Sequence, residues 1–243
     1  MRRLFPTLLC LVALAGCGDD DGSGGSAQIK VSAASSLKEA FTAYGGGKFS
    51  FAGSDELAAQ IRQGVRPDVF ASANTKYPEQ LFQAGLVERP VRFTANRLVL
   101  AVPADGDIRS LAGAGRPGVK VAIGGKGVPI GDYTREVLGR LGPQGAAIVR
   151  NVRSEEPDVK SIVGKLTQGG AGAGFVYVTD VNATKGALRA IELPASAQPR
   201  VVYAAAVVKG SKHSDEARAF VDGLLSGKGA QALRAAGFEP PPQ

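Results

Sequence analysis

Short apolar runs alternate with segments of helical period from residue 28 almost to the end of the chain, and this rhythm constrains the fold most. Residues 28–33 alternate as a strand, and residues 36–44 carry Leu37, Ala40, Phe41 and Tyr44 at helical spacing. Residues 48–52 read as a second strand. Residues 55–63 read as a helix with Leu57, Ala58 and Ile61 on one face, 68–73 as a third strand and 79–84 as a helix. The pattern returns with a strand at 119–123, a helix at 132–141, a strand at 146–152, a helix at 157–168 and a strand at 174–179. Parallel neighbours need long crossovers, so the alternation predicts α/β architecture, with parallel or mixed sheets flanked by helices.

Two segments depart from the rhythm. Residues 97–103 and 200–208 are long, apolar and β-rich, and they bracket the second series. If each crosses between two sheets, the chain builds one lobe, then a second, then returns to the first. Lobe 1 is then expected to hold residues 28–101 plus 206–243, and lobe 2 residues 102–205. The C-terminal segment supports the return: Ser214 is placed to cap a helix, Asp215 and Glu216 suit its positive end, and Ala217, Phe220, Val221, Leu224 and Leu225 form its apolar stripe. Two lobes joined by two crossover strands leave a cleft between them, the shape of a solute receptor.

The N-terminus points to the compartment. Arg2 and Arg3 precede an apolar run at residues 4–15, which reads as a secretory signal over residues 1–16 and is too short to span a bilayer permanently. Leu14-Ala15-Gly16-Cys17 resembles the bacterial lipobox, in which Cys17 receives the lipid. An ordinary signal cut near Ala15 or Gly16 is the alternative. Residues 18–26 contain no apolar side chain, so 17–27 read as the lipidated Cys and a flexible tether. The expected location is extracytoplasmic, with a lipid anchor as the only membrane contact. Without the signal the chain carries 27 basic and 22 acidic residues, a net of +5, and the bases are interspersed with acids. That distribution argues against a nucleic-acid footprint. Cys10 leaves with the signal and one His remains, which excludes a disulfide framework and makes a structural zinc site untenable.

Three stretches put small or hydroxyl residues between a strand end and a helix start: residues 33–36, 52–54 and 127–131. Ligands of open α/β sheets bind at the carboxyl ends of the strands, and helix N-termini present unpaired N–H groups and a positive dipole end. Such a place suits an anion. Plainer readings compete: Ser36 opens a capping-box pattern with Glu39, and Ser54 suits a simple N-cap. Residues 113–118 match the dinucleotide fingerprint as a string, but Pro117 and the strand after it contradict the required helix start, so they read as a loop. Gly125-Lys126-Gly127 lacks the hydroxyl of a phosphate-binding loop, and His213 precedes a polar helix start away from the cleft. Groups for acid–base or nucleophilic catalysis are thin, so the chain is not expected to be an enzyme or to need a cofactor.

Taken in order, these segments resemble the molybdate-binding proteins of bacterial ABC importers. The likeness starts at Val31-Ser32-Ala33-Ala34-Ser35-Ser36-Leu37 and Phe51-Ala52-Gly53-Ser54, then runs through Pro67-Asp68-Val69-Phe70-Ala71-Ser72-Ala73 and the first crossover. It continues in Val128-Pro129-Ile130-Gly131-Asp132-Tyr133, Pro157-Asp158-Val159 and residues 174–180. The resemblance implies the two-lobed periplasmic binding protein fold of type II. It also implies capture of molybdate, with tungstate beside it, as a bare dianion without a counter-charge. Carried over by position, the binding set is Ser36 and Ser54 through hydroxyl and backbone N–H, Ile130 and Val159 through backbone N–H, and Tyr177 through its phenol. No metal other than that of the oxyanion is implied, and the partners are the permease of an ABC importer and the membrane through the lipid, with the receptor a monomer. Departures from the family pattern are a short Ser36–Ser54 span, the acids Asp55 and Glu56, Lys126 in a short loop, and Asn74, which reads as peripheral. The alternatives are a receptor for another oxyanion such as sulfate or phosphate, and an extracytoplasmic enzyme on the same fold, such as a dehydratase.

Overall fold

The computed structural model describes residues 28–241, so the signal, Cys17 and the tether lie outside the described residues. Two five-stranded mixed sheets carry the fold. In the first, β1 (Ile29–Ala34) pairs in parallel with β2 (Gly47–Ala52) and β3 (Val69–Ser72), while β10 (Val201–Val207) runs antiparallel between β3 and β4 (Val91–Asn96). The order is β2-β1-β3-β10-β4. The second repeats the plan: β6 (Val121–Gly124) lies parallel between β7 (Val152–Glu156) and β8 (Ala173–Tyr177), and β5 (Leu98–Pro103) runs antiparallel between β8 and β9 (Leu188–Glu192).

The central strands read as unbroken apolar runs because helices cover both faces. Neighbouring residues of β3 show this: Val69 belongs to the main core, while Phe70 faces a second cluster with Leu57, Ile61 and Leu81. That second cluster packs beneath α2 (Ser54–Arg62) and α3 (Lys76–Gln83). On the other face α1 (Lys38–Tyr44), α9 (Ser214–Leu225) and α10 (Gly227–Ala235) pack around Phe41 and Phe220, whose rings meet edge-on at 5.6 Å. Lobe 2 is covered by α5 (Pro129–Arg140), α6 (Pro143–Val149), α7 (Val159–Thr167) and α8 (Val178–Ala183), with α4 (Leu111–Ala114) a single turn capped by Ser110.

Three expectations need correction. Residues 146–149 are helical, not the start of a strand. Gly142 takes a left-handed φ of 54°, Pro143 opens the helix, and Gly145 has no room for a Cβ against the Leu138 carbonyl. Ile148 is buried while Val149 is 52 % exposed, so the strand β7 starts only at Val152. The passages between sheets fall at Arg97 and across residues 193–200, not after 101 and 205. Leu98 to Ala101 already pair with β8, and Val201 to Ala205 already pair with β4 or β3. Ser214 is the first residue of α9, with His213 in the N-cap position and no side-chain cap, and Leu225 points outward at 47 % exposure. Asn74 is buried, and its Oδ1 accepts the Ser72 hydroxyl at 3.0 Å and the Tyr77 N–H at 3.2 Å, which ties down the start of α3.

Candidate functional site

The carboxyl ends of β1, β2, β6 and β8 face one another across the cleft, and one cavity with about 210 Å³ of empty space lies between them. Only about 10 Å³ of it admits the centre of a water-sized sphere, so the space suits a ligand of a few heavy atoms. Ser36, Ser54, Ile130, Val159 and Tyr177 all line it. The lining contains no Lys, Arg or His. Lys126 is exposed and outside the lining.

Each lining donor has an identifiable backing. Ser36 sits in a 3-10 turn over Ser35–Leu37 that precedes α1; it makes no capping bond, and its Oγ lies 2.9 Å from Tyr203 Oη. Ser54 opens α2 behind Gly53 at the N-cap, and its Oγ accepts the Ala73 N–H at 3.0 Å, which leaves its own proton to donate elsewhere. Ile130 is the second residue of α5 and Val159 the first of α7. Backbone N–H groups in a first helical turn have no intrahelical acceptor, so both can donate into the cavity. Asp158, the one charged residue of the lining, has Oδ1 engaged by the Ser161 N–H at 2.9 Å as the cap of α7. Three N-termini of long helices thus meet at one small space, and their dipoles favour an anion there.

Tyr177 ends β8 and is 1 % exposed. Its Oη is buried with no hydrogen-bond partner among the described residues. Burial pushes its pKa well above 10, and the nearby Tyr203 hydroxyl adds to that without reaching ordinary hydrogen-bond geometry. The phenol therefore stays a neutral donor. A buried donor left unpaired costs about 1–3 kcal/mol, so an acceptor in the cavity would relieve a standing penalty.

The lobes touch around the cavity. Tyr77 of α3 donates to the Gly127 carbonyl of lobe 2, and Asn96 Nδ2 donates to Thr179 Oγ1 at 2.9 Å. Lys160 of α7 bridges Glu39 of α1 at 2.8 Å and Asp180 at 3.2 Å. Asp180 is fully buried, and burial pushes its pKa up to about 6, although Lys160 and the Tyr177 N–H pull it down. Asp55 also rises, through burial first and then through Asp132 and Asp158, while Glu56 is exposed and bonded to Gln60. Neither acid lines the cavity. Gly53 is a close approach between the lobes: a Cβ there would stand 2.5 Å from the Pro157 carbonyl oxygen. Sequence reasoning missed Tyr203 and this contact because each depends on a residue more than a hundred positions away, and Asp180 because its burial is set by packing.

A family model described as bacterial extracellular solute-binding protein matches residues 29–239. The chain belongs to that family. A curated relative from Mycobacterium tuberculosis, named molybdate-binding protein ModA, is 34% identical, with 96% of this chain and 95% of that protein covered. The family resemblance read from the motifs therefore holds along almost the whole chain. Among solved structures, the periplasmic molybdate-binding protein of Azotobacter vinelandii superposes with a TM-score of 0.76 at 20% identity, covering 88% of this chain and 100% of that one. The sulfate-binding protein SubI of M. tuberculosis does so with the same TM-score at 17% identity, covering 88% and 86%. The extracellular solute-binding fold is common to both, so fold alone does not choose the cargo.

Proposed function

We propose that this solute-binding protein captures molybdate, and tungstate with it, in the interlobe cavity and hands it to the permease of an ABC importer. Ser36 and Ser54 from lobe 1 and Ile130, Val159 and Tyr177 from lobe 2 are the proposed donors. Cys17 is the proposed lipid anchor of a monomeric, extracytoplasmic receptor that performs no chemistry on its cargo. The observation that carries the reading is the Tyr177 hydroxyl, a buried donor without a protein acceptor, in a lining of hydroxyls and helix N-termini that has no cationic side chain. A bare tetrahedral dianion offers acceptors in every direction and answers that lining. The ordered motif match and the ModA relative support molybdate over other tetrahedral anions.

Sulfate presents the same pattern of acceptors on a smaller frame, so it should fail to reach both sets of donors at once. Hydrogen phosphate carries a proton that needs an acceptor, and the one carboxylate of the lining, Asp158, is committed through Oδ1 to capping α7. Isothermal titration of residues 27–243 should give tight one-to-one binding of molybdate and tungstate, with no heat from sulfate or phosphate. Tight sulfate or phosphate binding would replace the cargo assignment; silence from all four anions would reject the receptor reading.

Closure has its own test at Gly53. Its backbone, at φ −61° and ψ 139°, suits alanine, so Gly53→Ala should leave lobe 1 folded. The added methyl meets the Pro157 carbonyl oxygen across the cleft and Asp55 Oδ1 in its own lobe; once the Asp55 side chain turns aside, it should hold the lobes apart. Molybdate affinity is expected to fall about tenfold or more in a variant that still unfolds cooperatively. Wild-type affinity in the variant would show that the bound form does not need this approach.

A further inference from the structure

Tyr203 lies behind the binding cavity rather than in it. It is 0 % exposed, at the middle of β10, the strand that returns the chain to lobe 1. Three rings hold it edge-on: Phe238 at 5.4 Å, Tyr177 at 5.9 Å and Phe93 at 6.3 Å between centroids. Packing of that kind fixes the phenol oxygen, which lies 2.9 Å from Ser36 Oγ. No other aromatic residue of the described chain touches both a lobe 1 hydroxyl of the proposed site and the ring of Tyr177 from lobe 2.

We propose that Tyr203 is a positioning residue for the oxyanion, which holds Ser36 as a donor toward the cavity. The inference rests on the reading of Ser36 as an anion ligand. A serine hydroxyl has one proton. When that proton goes to an anion, the bond between Ser36 and Tyr203 can only run with Tyr203 donating and Ser36 accepting. Burial keeps the Tyr203 phenol protonated, so it always has the proton to give. Ser54 has an equivalent arrangement, with the Ala73 N–H on its oxygen at 3.0 Å. Both lobe 1 hydroxyls thus have a protein donor at their backs and face the ligand proton first. In a chain of this kind each donated bond polarises the next, so the outer bond to the anion is strengthened.

The test is a double-mutant cycle read by titration with molybdate. Tyr203→Phe keeps the ring and its three aromatic contacts and leaves Ser36 open to the cavity, so the fold is not at stake. Alone it is expected to weaken molybdate binding about five- to tenfold, the worth of one hydrogen bond. Added to Ser36→Ala it should cost nothing further, whereas added to Ser54→Ala it should cost the same factor as alone. A merely structural role would lower affinity equally in both backgrounds, and that result, or unchanged binding by Tyr203→Phe, would overturn the proposal. A wild-type protein that does not bind molybdate would fail the cargo reading instead, and the positioning role with it.

Discussion

Combining Ser54→Ala with Tyr177→Phe is expected to weaken molybdate binding about 100-fold or more while the protein still folds. A hydrogen bond to a charged acceptor contributes ~1.5–3 kcal/mol, so two lost donors amount to ~3–6 kcal/mol before coupling between them is counted. The two substitutions differ in what they do without ligand. Tyr177→Phe removes a buried hydroxyl that has no protein partner, so the ligand-free melting temperature should hold or rise. Ser54→Ala strips the Ala73 N–H of its acceptor and should cost ~1 kcal/mol of stability. A stability gain paired with an affinity loss at Tyr177 would mark a residue kept for binding. Unchanged affinity in the double variant would reject these two residues as ligands.

The second large effect lies at Asp180 and depends on pH. Its carboxyl has an ordinary value of 3.8 and is pushed up to about 6 in the fold, chiefly by burial, with Lys160 only partly compensating. The folded protein therefore holds that proton more tightly than the unfolded chain does. Its contribution to stability is full below about pH 4 and is lost as pH rises through 6; the gap corresponds to about 3 kcal/mol. Other carboxylates titrate in the same range, so the useful quantity is the stability of wild type minus that of Asp180→Asn. The amide does not titrate, and any constant cost of the substitution cancels. The difference should move by about 2–3 kcal/mol in favour of wild type between pH 7.5 and pH 4, measured by denaturant unfolding. A flat difference would mean that Lys160 fully offsets the burial.

The strand–helix alternation, the two crossovers and the five lining residues were legible because each rests on local pattern: apolar period, hydroxyls at helix starts, and a string of motifs in fixed order. What was not legible rests on packing between distant segments. Residues 146–149 carry the β-branched pair Ile148 and Val149, yet Pro143 and the close approach of Gly145 to Leu138 decide for helix. Ser36 fits a capping box by spacing, but Glu39 is drawn across the cleft to Lys160 and Ser36 to Tyr203. Tyr203 itself stands in an apolar run where nothing local separates a positioning phenol from a core ring. The crossover limits slipped by several residues for a related reason: an apolar strand looks the same in either sheet, and only its partner fixes which one it joins.

Arg97 is the single residue between β4 and β5, and it is tied to Glu192 at 2.8 Å and to Glu239 at 3.0 Å, one on each side. So short a joint gives the second half-site a high effective concentration beside the first. An anion held weakly by one lobe meets the other lobe as an intramolecular neighbour, where even a flexible short linker supplies millimolar levels. Tight capture can then arise from two weak, uncharged half-sites. Lengthening the Arg97 joint would loosen the grip without altering one contact to the anion.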